Sequence, residues 1–264
     1  MDQCELCLIK RTIENKYTDP YPFSVVNQGK GFALVRTADG STSSSFEEAQ
    51  QWLADTPGPI LIEAASPDPG TDWATIQLDI GHYLFHEGHA DLAIDALTRS
   101  LELDPENATA YGLRGLLHMQ QGEHDQATVD YTNAIAIDGT CGQLYANRAL
   151  SHYGEGHVNA AMADFERAIQ LCPGVVLFYI NRGRIYQLMG NWSQAICAYN
   201  EAIELDPDDS EIYTYRGESY AGSLEYQKAL ADFNRAIELD PNNAQARSNR
   251  ERVIQLLREG SRNN

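Results

Sequence analysis

The stretch YINRGRIYQLMGN, Tyr179 to Asn191, decides the fold. Tyr179, Gly183 and Tyr186 recur at helical spacing and share one face. Arg182 falls on that same face, where an aliphatic side chain is expected. The MGN triplet then breaks the helix, and Ala195, Tyr199, Ala202 and Ile203 lay out a second apolar stripe. The arrangement returns elsewhere. YGLRG begins at Tyr111, YANRA at Tyr145 and YTYRG at Tyr213, so the inward arginine recurs at Arg114, Arg148 and Arg216.

One constant step, the step from Gly81 to Gly115, carries the pattern along the chain without insertions. Gly183 and Gly217 keep it, with Ala149 in the remaining slot. Ala93, Ala127, Ala161, Ala195 and Ala229 keep the same step, as do Leu97, Tyr131, Phe165, Tyr199 and Phe233. The register defines five units: 74–107, 108–141, 142–175, 176–209 and 210–243. Within a unit the small residue lets two helices approach closely, and the large side chain of the second fills the space above it. Asp-Pro steps ending at Pro105, Pro207 and Pro241 stop the second helix, because proline lacks an amide and disfavours helix in the residue before it.

On these motifs, residues 74–243, about two-thirds of the chain, resemble the tetratricopeptide repeat, a helix–turn–helix unit of about 34 residues. The resemblance implies a mostly α fold, a right-handed α-solenoid of helix pairs. Departures are local: Gln77 for tyrosine, Ser100 for alanine, Gly139 in the proline slot and Leu224 where other units place a turn glycine. Residues 244–259 continue the first-helix register, with no second helix following, and are expected to form a capping helix.

The resemblance also implies that each first helix lines a concave, peptide-binding groove. Carried onto this chain, the second unit contributes Leu113, Leu116 and Met119. The third contributes Asn147, Leu150 and Tyr153, and the fourth Ile180, Asn181, Arg184 and Gln187. The fifth contributes Tyr215 and Glu218. An asparagine offers donor and acceptor together, so it can pair with the backbone of an extended peptide. One family subtype clamps the acidic C-terminus of heat-shock chaperones with Lys, Arg and Asn. Here the matching slots hold Leu78, Gln143 and Asn181, and Arg184 alone is clearly cationic. An apolar, mixed or basic segment is therefore expected rather than an acidic C-terminus. The plainer reading buries some groove residues against the N-terminal segment instead.

Residues 1–65 do not share the period. Leu6, Ile9 and Ile13 suit a short helix, and PFSVVNQGKGFALVRT reads as a hairpin. Ser45 and Glu48 form a capping box, and GPILIEA reads as a third strand. The expectation is a small α+β module, then a linker over 66–73.

The formal charge of −19 argues against a nucleic-acid surface, which needs clustered cations, and against anionic membranes. No apolar run reaches the roughly 20 residues that span a bilayer. The N-terminus lacks the marks of a signal peptide. Five cysteines do not read as a disulfide framework, so a cytoplasmic setting is expected. Cys4 and Cys7 form a C-x-x-C without a second ligand pair, and His82 and His86 have i, i+4 spacing with Asp79 nearby. Incidental thiols and groove lining are the plainer readings, and His118 and His152 read as packing residues. No nucleophile–base pair, phosphate loop or dinucleotide fingerprint is present, so no catalytic residue, metal or cofactor is assigned. A non-catalytic protein-binding adaptor is the first expectation, with self-association a further option. The alternative is an N-terminal module with metal, redox or enzymatic activity whose substrate the repeats recruit.

The inward arginine has its own logic. Asp130, Asp164 and Asp232 follow Arg114, Arg148 and Arg216 at one fixed spacing, whereas the same slot after Arg182 holds Ala198. The first unit has neither charge, with Ile80 and Ala96 in the two slots. The spacing predicts buried ion pairs, with Arg182 reaching back to Asp164 and Arg250 of the cap to Asp232.

Overall fold

The computed structural model describes residues 23–27, 32–36, 73–86 and 88–260. The chain divides into two units, Met1–Trp73 and Ala74–Asn264. In the first, β1 (Phe23–Asn27) and β2 (Phe32–Arg36) pair antiparallel, with Phe23 opposite Arg36 and Asn27 opposite Phe32. The helix expected through Leu6, Ile9 and Ile13, the helix after Ser45 and the strand at 58–64 lie outside the described residues, as do Cys4 and Cys7.

Eleven helices are found among the described residues. They are α1 (Trp73–His86), α2 (Ala90–Leu103), α3 (Ala108–Gln120), α4 (His124–Ile137), α5 (Gly142–Gly154) and α6 (Val158–Leu171). They continue with α7 (Val176–Leu188), α8 (Trp192–Leu205), α9 (Ser210–Gly222), α10 (Tyr226–Leu239) and α11 (Ala244–Gly260). From α5 to α10, each helix begins and ends one full sequence period after its counterpart in the preceding unit. The sequence period is thus a structural period. Successive helices from α2 onward pack on one another, and α3–α5, α7–α9 and α9–α11 also touch, so first helices adjoin first helices.

The core repeats with the chain. The five period-keeping alanines of the second helices and the five large side chains after them are fully buried. A methyl group added to Gly183 would sit 2.7 Å from Cε1 of Tyr199, and one on Gly217 2.7 Å from Cε1 of Phe233. Carbon atoms in contact prefer about 3.5–4.0 Å, so a Cβ does not fit unless something shifts. The same helix pair in the first unit leaves 2.7 Å between such a methyl and Cγ of Leu97.

The repeat ends explain the recurrent spelling of the units. At four of the five unit ends, the aspartate side chain accepts an amide two residues on: Asp104 from Glu106, Asp138 from Thr140, Asp206 from Asp208 and Asp240 from Asn242, with Cys172 in that slot of the third unit. This local turn is available without proline, which is why Gly139 is tolerated in the second unit. Ser100, the departure in the first unit, is buried but donates to the carbonyl of Ala74 at 2.8 Å, so its hydroxyl is satisfied. The last helix, α11, covers the array by burying Ala246 and Val253 against Ala229, Phe233 and Ala236.

The turns between paired helices need a left-handed residue. Gly88, Gly122, Gly156 and Gly190 have φ between 72° and 82° there, and Leu224 has φ 65° in the fifth unit. For an L-residue with a side chain this conformation costs about 1–2 kcal/mol, partly offset by the lower entropy of its unfolded chain. Leu224 is 70% exposed, so its side chain contributes little burial. Leu224→Gly is therefore expected to stabilise the protein by about 0.5–1 kcal/mol in urea unfolding. Unchanged or lower stability would contradict the strain at this turn.

Candidate functional site

Four arginines sit beside their own tyrosines, one helical turn earlier on the same face. The guanidinium carbons of Arg114, Arg148, Arg182 and Arg216 lie 5.5 to 5.6 Å from the ring centres of Tyr111, Tyr145, Tyr179 and Tyr213. Three of these arginines reach across to the second helix of their unit. Arg114 donates from Nε and Nη2 to the two carboxylate oxygens of Asp130 at 2.8 and 2.7 Å. Arg148 grips Asp164 in the same way, and Arg216 grips Asp232. The aspartates are buried, and the paired hydrogen bonds raise the arginines' already high pKa values against the opposing effect of burial. The remaining Nη1 points to the preceding unit. It meets Thr98 from Arg114, Thr132 from Arg148 and Asn200 from Arg216. One guanidinium thus ties three helices.

The expected partners of Arg182 and Arg250 are corrected by the structure. Arg182 pairs with Glu201 on α8 at 2.9 Å, not with Asp164. Both oxygens of Asp164 are already taken by Arg148, which leaves no second bidentate partner. Ala198 stands where the aspartate would be, and Nε of Arg182 is buried without a hydrogen-bond partner among the described residues. Arg250 reaches Asn234 at 3.3 Å rather than Asp232, whose oxygens Arg216 holds. The link that these first-helix arginines make between units is therefore neutral, to threonine or asparagine, while their ionic link stays within a unit.

The groove positions divide into two groups. Leu113 is corrected: it is only 6% exposed and belongs to the core between α3 and its neighbours. Leu116, Met119, Asn147, Leu150, Tyr153, Ile180 and Asn181 are half-buried on the first helices. Asn147 accepts from Gln143 at 2.8 Å. Asn181 has no hydrogen-bond partner among the described residues, so both ends of its amide stay free. Arg184, Gln187, Tyr215 and Glu218 come together in a cavity of about 570 Å³.

That cavity lies between α7, α9 and α11. Tyr215 stacks on Tyr199 with ring centres 5.9 Å apart, and burial raises the pKa of both hydroxyls. Gln187 is locked in place, accepting from Tyr199 at 2.6 Å and donating to the Tyr215 carbonyl at 3.0 Å. Glu218 accepts from the amides of Gln245 and Asn249 at 2.6 and 2.7 Å. Leu188, Val253 and Leu256 add apolar wall. Arg184 and Arg252 line the same cavity with no hydrogen bond or ion pair among the described residues.

Gln245, Asn249 and Arg252 are functional candidates that the sequence reading does not single out. The period is the available signal: Arg252 lies one step after Glu218 and two after Arg184, and Asn249 lies two after Asn181. Reading α11 only as a cover conceals that it also extends the first-helix face. The metal candidates of α1 behave differently. His82 and His86 meet edge to face at 4.7 Å, and burial, helped by His86, lowers the pKa of His82.

The ion pairs are scaffold, and their burial decides their weight. Asp164→Ala removes a buried carboxylate that takes two hydrogen bonds from Arg148, so it is expected to cost about 3–5 kcal/mol. Glu201→Ala removes a half-exposed partner and is expected to cost less than about 1 kcal/mol. Chemical denaturation of the two variants checks the contrast, and equal effects would contradict it.

Family models of the tetratricopeptide repeat match residues 78–140, 142–174 and 210–243, and one described as TPR repeat matches 183–223. No curated protein matches the chain. Several solved structures do match it. A crystal structure of MamA protein is 27% identical over 65% of this chain and 94% of its own, with a TM-score of 0.59. YrrB, described as a TPR protein with an unusual peptide-binding site, is 20% identical over 67% of this chain and 92% of its own, at 0.57. The pilF protein of Pseudomonas aeruginosa is 18% identical over 71% and 86%, at 0.60. The last two likenesses bear on fold alone. With helix boundaries repeating at one constant step and family models matched across most of the array, the chain belongs to the tetratricopeptide repeat family.

Proposed function

We propose that this protein is a non-catalytic adaptor that holds a segment of a partner protein on its first-helix face, with the cavity between α7, α9 and α11 as the anchor. The observation that carries the reading is the pair of unpartnered guanidinium groups, Arg184 and Arg252, in a cavity where Gln187, Glu218, Gln245 and Asn249 are held by internal hydrogen bonds. Side chains fixed by internal hydrogen bonds lose little entropy when a ligand arrives. A free arginine beside them offers a planar fork for a carboxylate or a backbone carbonyl. Asn181, also free, lies on the same helix as Arg184 and suits the backbone of an extended segment.

The partner segment is mixed in character. An apolar side chain meets Leu188 and Leu256, an acceptor meets the arginines, and a basic side chain suits Glu218. A run of acidic residues is disfavoured by Glu218 and by the chain's charge of −19. The α+β reading of residues 1–65 belongs to the same proposal, as a module that adds a second contact with the partner.

Peptides selected on the full-length chain from a display library test this. Arg184→Glu and Arg252→Glu are expected to weaken the selected peptides at least about tenfold in fluorescence anisotropy, which is about 1.4 kcal/mol. Both positions are exposed, so melting temperatures should stay close to the parent's. Selected peptides that bind both variants as tightly as the parent, or that are uniformly poly-acidic, would overturn the reading.

A further inference from the structure

The turn HYGEGH, His152 to His157, sits apart from the cavity just described, and none of its residues lines that cavity. His152 is in the last turn of α5, Glu155 caps that helix and His157 opens α6. Three potential metal donors therefore come from one short turn. The backbone holds them firmly. The amide of Glu155 donates to Ser151 at 3.0 Å, that of Gly156 to Tyr153 at 3.0 Å and that of His157 to His152 at 2.7 Å. Gly156, at φ 82°, makes the reversal that returns His157 towards His152.

The side chains converge. Nδ1 of His157 is 2.8 Å from Oε2 of Glu155, and Nδ1 of His152 is 3.4 Å from the same oxygen. One donor atom from each residue lies within 4.8 Å of the other two, and no other such group of three appears among the described residues. Metal–nitrogen bonds of about 2.0–2.1 Å in tetrahedral geometry place neighbouring ligand atoms about 3.3 Å apart. Small side-chain rotations bring the three atoms to that spacing.

The surroundings orient the donors. Thr128 of α4 donates its hydroxyl to Oε1 of Glu155, which leaves Oε2 facing the two imidazoles. Nε2 of His152 lies 3.8 Å from Oδ2 of Asp164. When His152 carries its proton on Nε2, its Nδ1 lone pair is free to face the other two donors. The Glu155 side chain is 8% exposed and that of His157 66%, so the set is anchored on one side and open on the other. The preceding unit is a natural contrast. His118 has a glutamate partner, Glu123, at 2.6 Å and Asp130 at 3.9 Å, but Gln121 stands where Glu155 does and no third donor joins them.

We propose that His152, Glu155 and His157 form a binding site for a divalent transition metal of zinc's class, with three protein ligands and a fourth position open. Two imidazole nitrogens and one carboxylate oxygen suit zinc and its neighbours, whereas magnesium and calcium require sets of oxygens. The fourth position takes water, or a donor from a bound protein. The site is independent of the groove reading and stands or falls separately from it.

Titration calorimetry of the chelator-treated, full-length protein with zinc chloride tests the proposal. The parent is expected to bind one equivalent more than either His157→Ala or Glu155→Gln. That equivalent should persist in His118→Ala and in the Cys4→Ser/Cys7→Ser double variant, which separates it from any thiol site. Thr128→Val, which removes only the orienting hydroxyl, should weaken it about 10–100-fold. Magnesium and calcium chlorides should not compete. The proposal is overturned if the parent binds no zinc, or if His157→Ala and Glu155→Gln, folded by circular dichroism, bind as many equivalents as the parent.

Discussion

The close approach of paired helices sets the terms of this solenoid, tightest at Gly81, Gly183 and Gly217 and admitting only the methyl of Ala149 in the third unit. Gly183 under Tyr199 and Gly217 under Phe233 bring first and second helices so close that the ring of one covers the bare backbone of the other. The ring is then enclosed on all sides, and the large side chains at these positions are fully buried in every unit. Such packing has no slack: a ring that fills the space above a glycine cannot be traded for a larger neighbour without moving a helix. Because helix spacing, pair angle and turn length all follow from this contact, the next unit has one place to dock. The return of the helix boundaries at one constant step is the consequence.

The charged residue on the inner face becomes intelligible on that frame. A guanidinium can be placed among packed helices where every N–H has an acceptor, and close helices supply acceptors at fixed positions. Asp130, Asp164 and Asp232 serve within the unit, and Thr98, Thr132 and Asn200 serve from the unit before. The tyrosine one turn earlier lies beside the same cation, and in Tyr179 and Tyr213 its hydroxyl reaches back to the carbonyls of Pro173 and Pro207. Arg182 marks the limit of the design. Without its aspartate it turns to the more exposed Glu201 and leaves one N–H unmet. With Arg committed to the scaffold contacts in each of these units, the proposed groove falls to the residues beside it, such as Asn181 and Arg184.

Periodic features are legible in the sequence, and features fixed by a single side chain's reach are not. Gly183 and Tyr199 announce their contact because the pair recurs, and Arg114, Arg148 and Arg216 announce their aspartates for the same reason. The Arg182–Glu201 pair breaks the period, since nothing in the spacing says that a long side chain will turn to a glutamate further along α8. Leu113 escapes a sequence reading because the burial of a first-helix side chain depends on how the neighbouring helices stack on it. Asn249 and Arg252 are in plain register but are masked when α11 is read only as a cap. The His152–Glu155–His157 cluster crosses a helix end, where the i, i+4 rule that singles out His82 and His86 does not apply.

The adaptor reading and the metal site both presuppose a rigid array, and rigidity comes from the close approach. Helix propensity and close approach make opposite forecasts for one substitution. In a helix interior alanine is favoured over glycine by about 1 kcal/mol, so propensity alone has Gly183→Ala stabilise the protein. The Tyr199 ring, 2.7 Å from the new methyl group, makes it destabilising. Gly174 lies in a loop with nothing within 4 Å of an added methyl and provides the control. The decisive measurement is urea unfolding of the two alanine variants against the parent. The account requires Gly183→Ala to lose stability, by about 1–3 kcal/mol, while Gly174→Ala is neutral or slightly stabilising. A Gly183→Ala protein as stable as the parent or more so would contradict it.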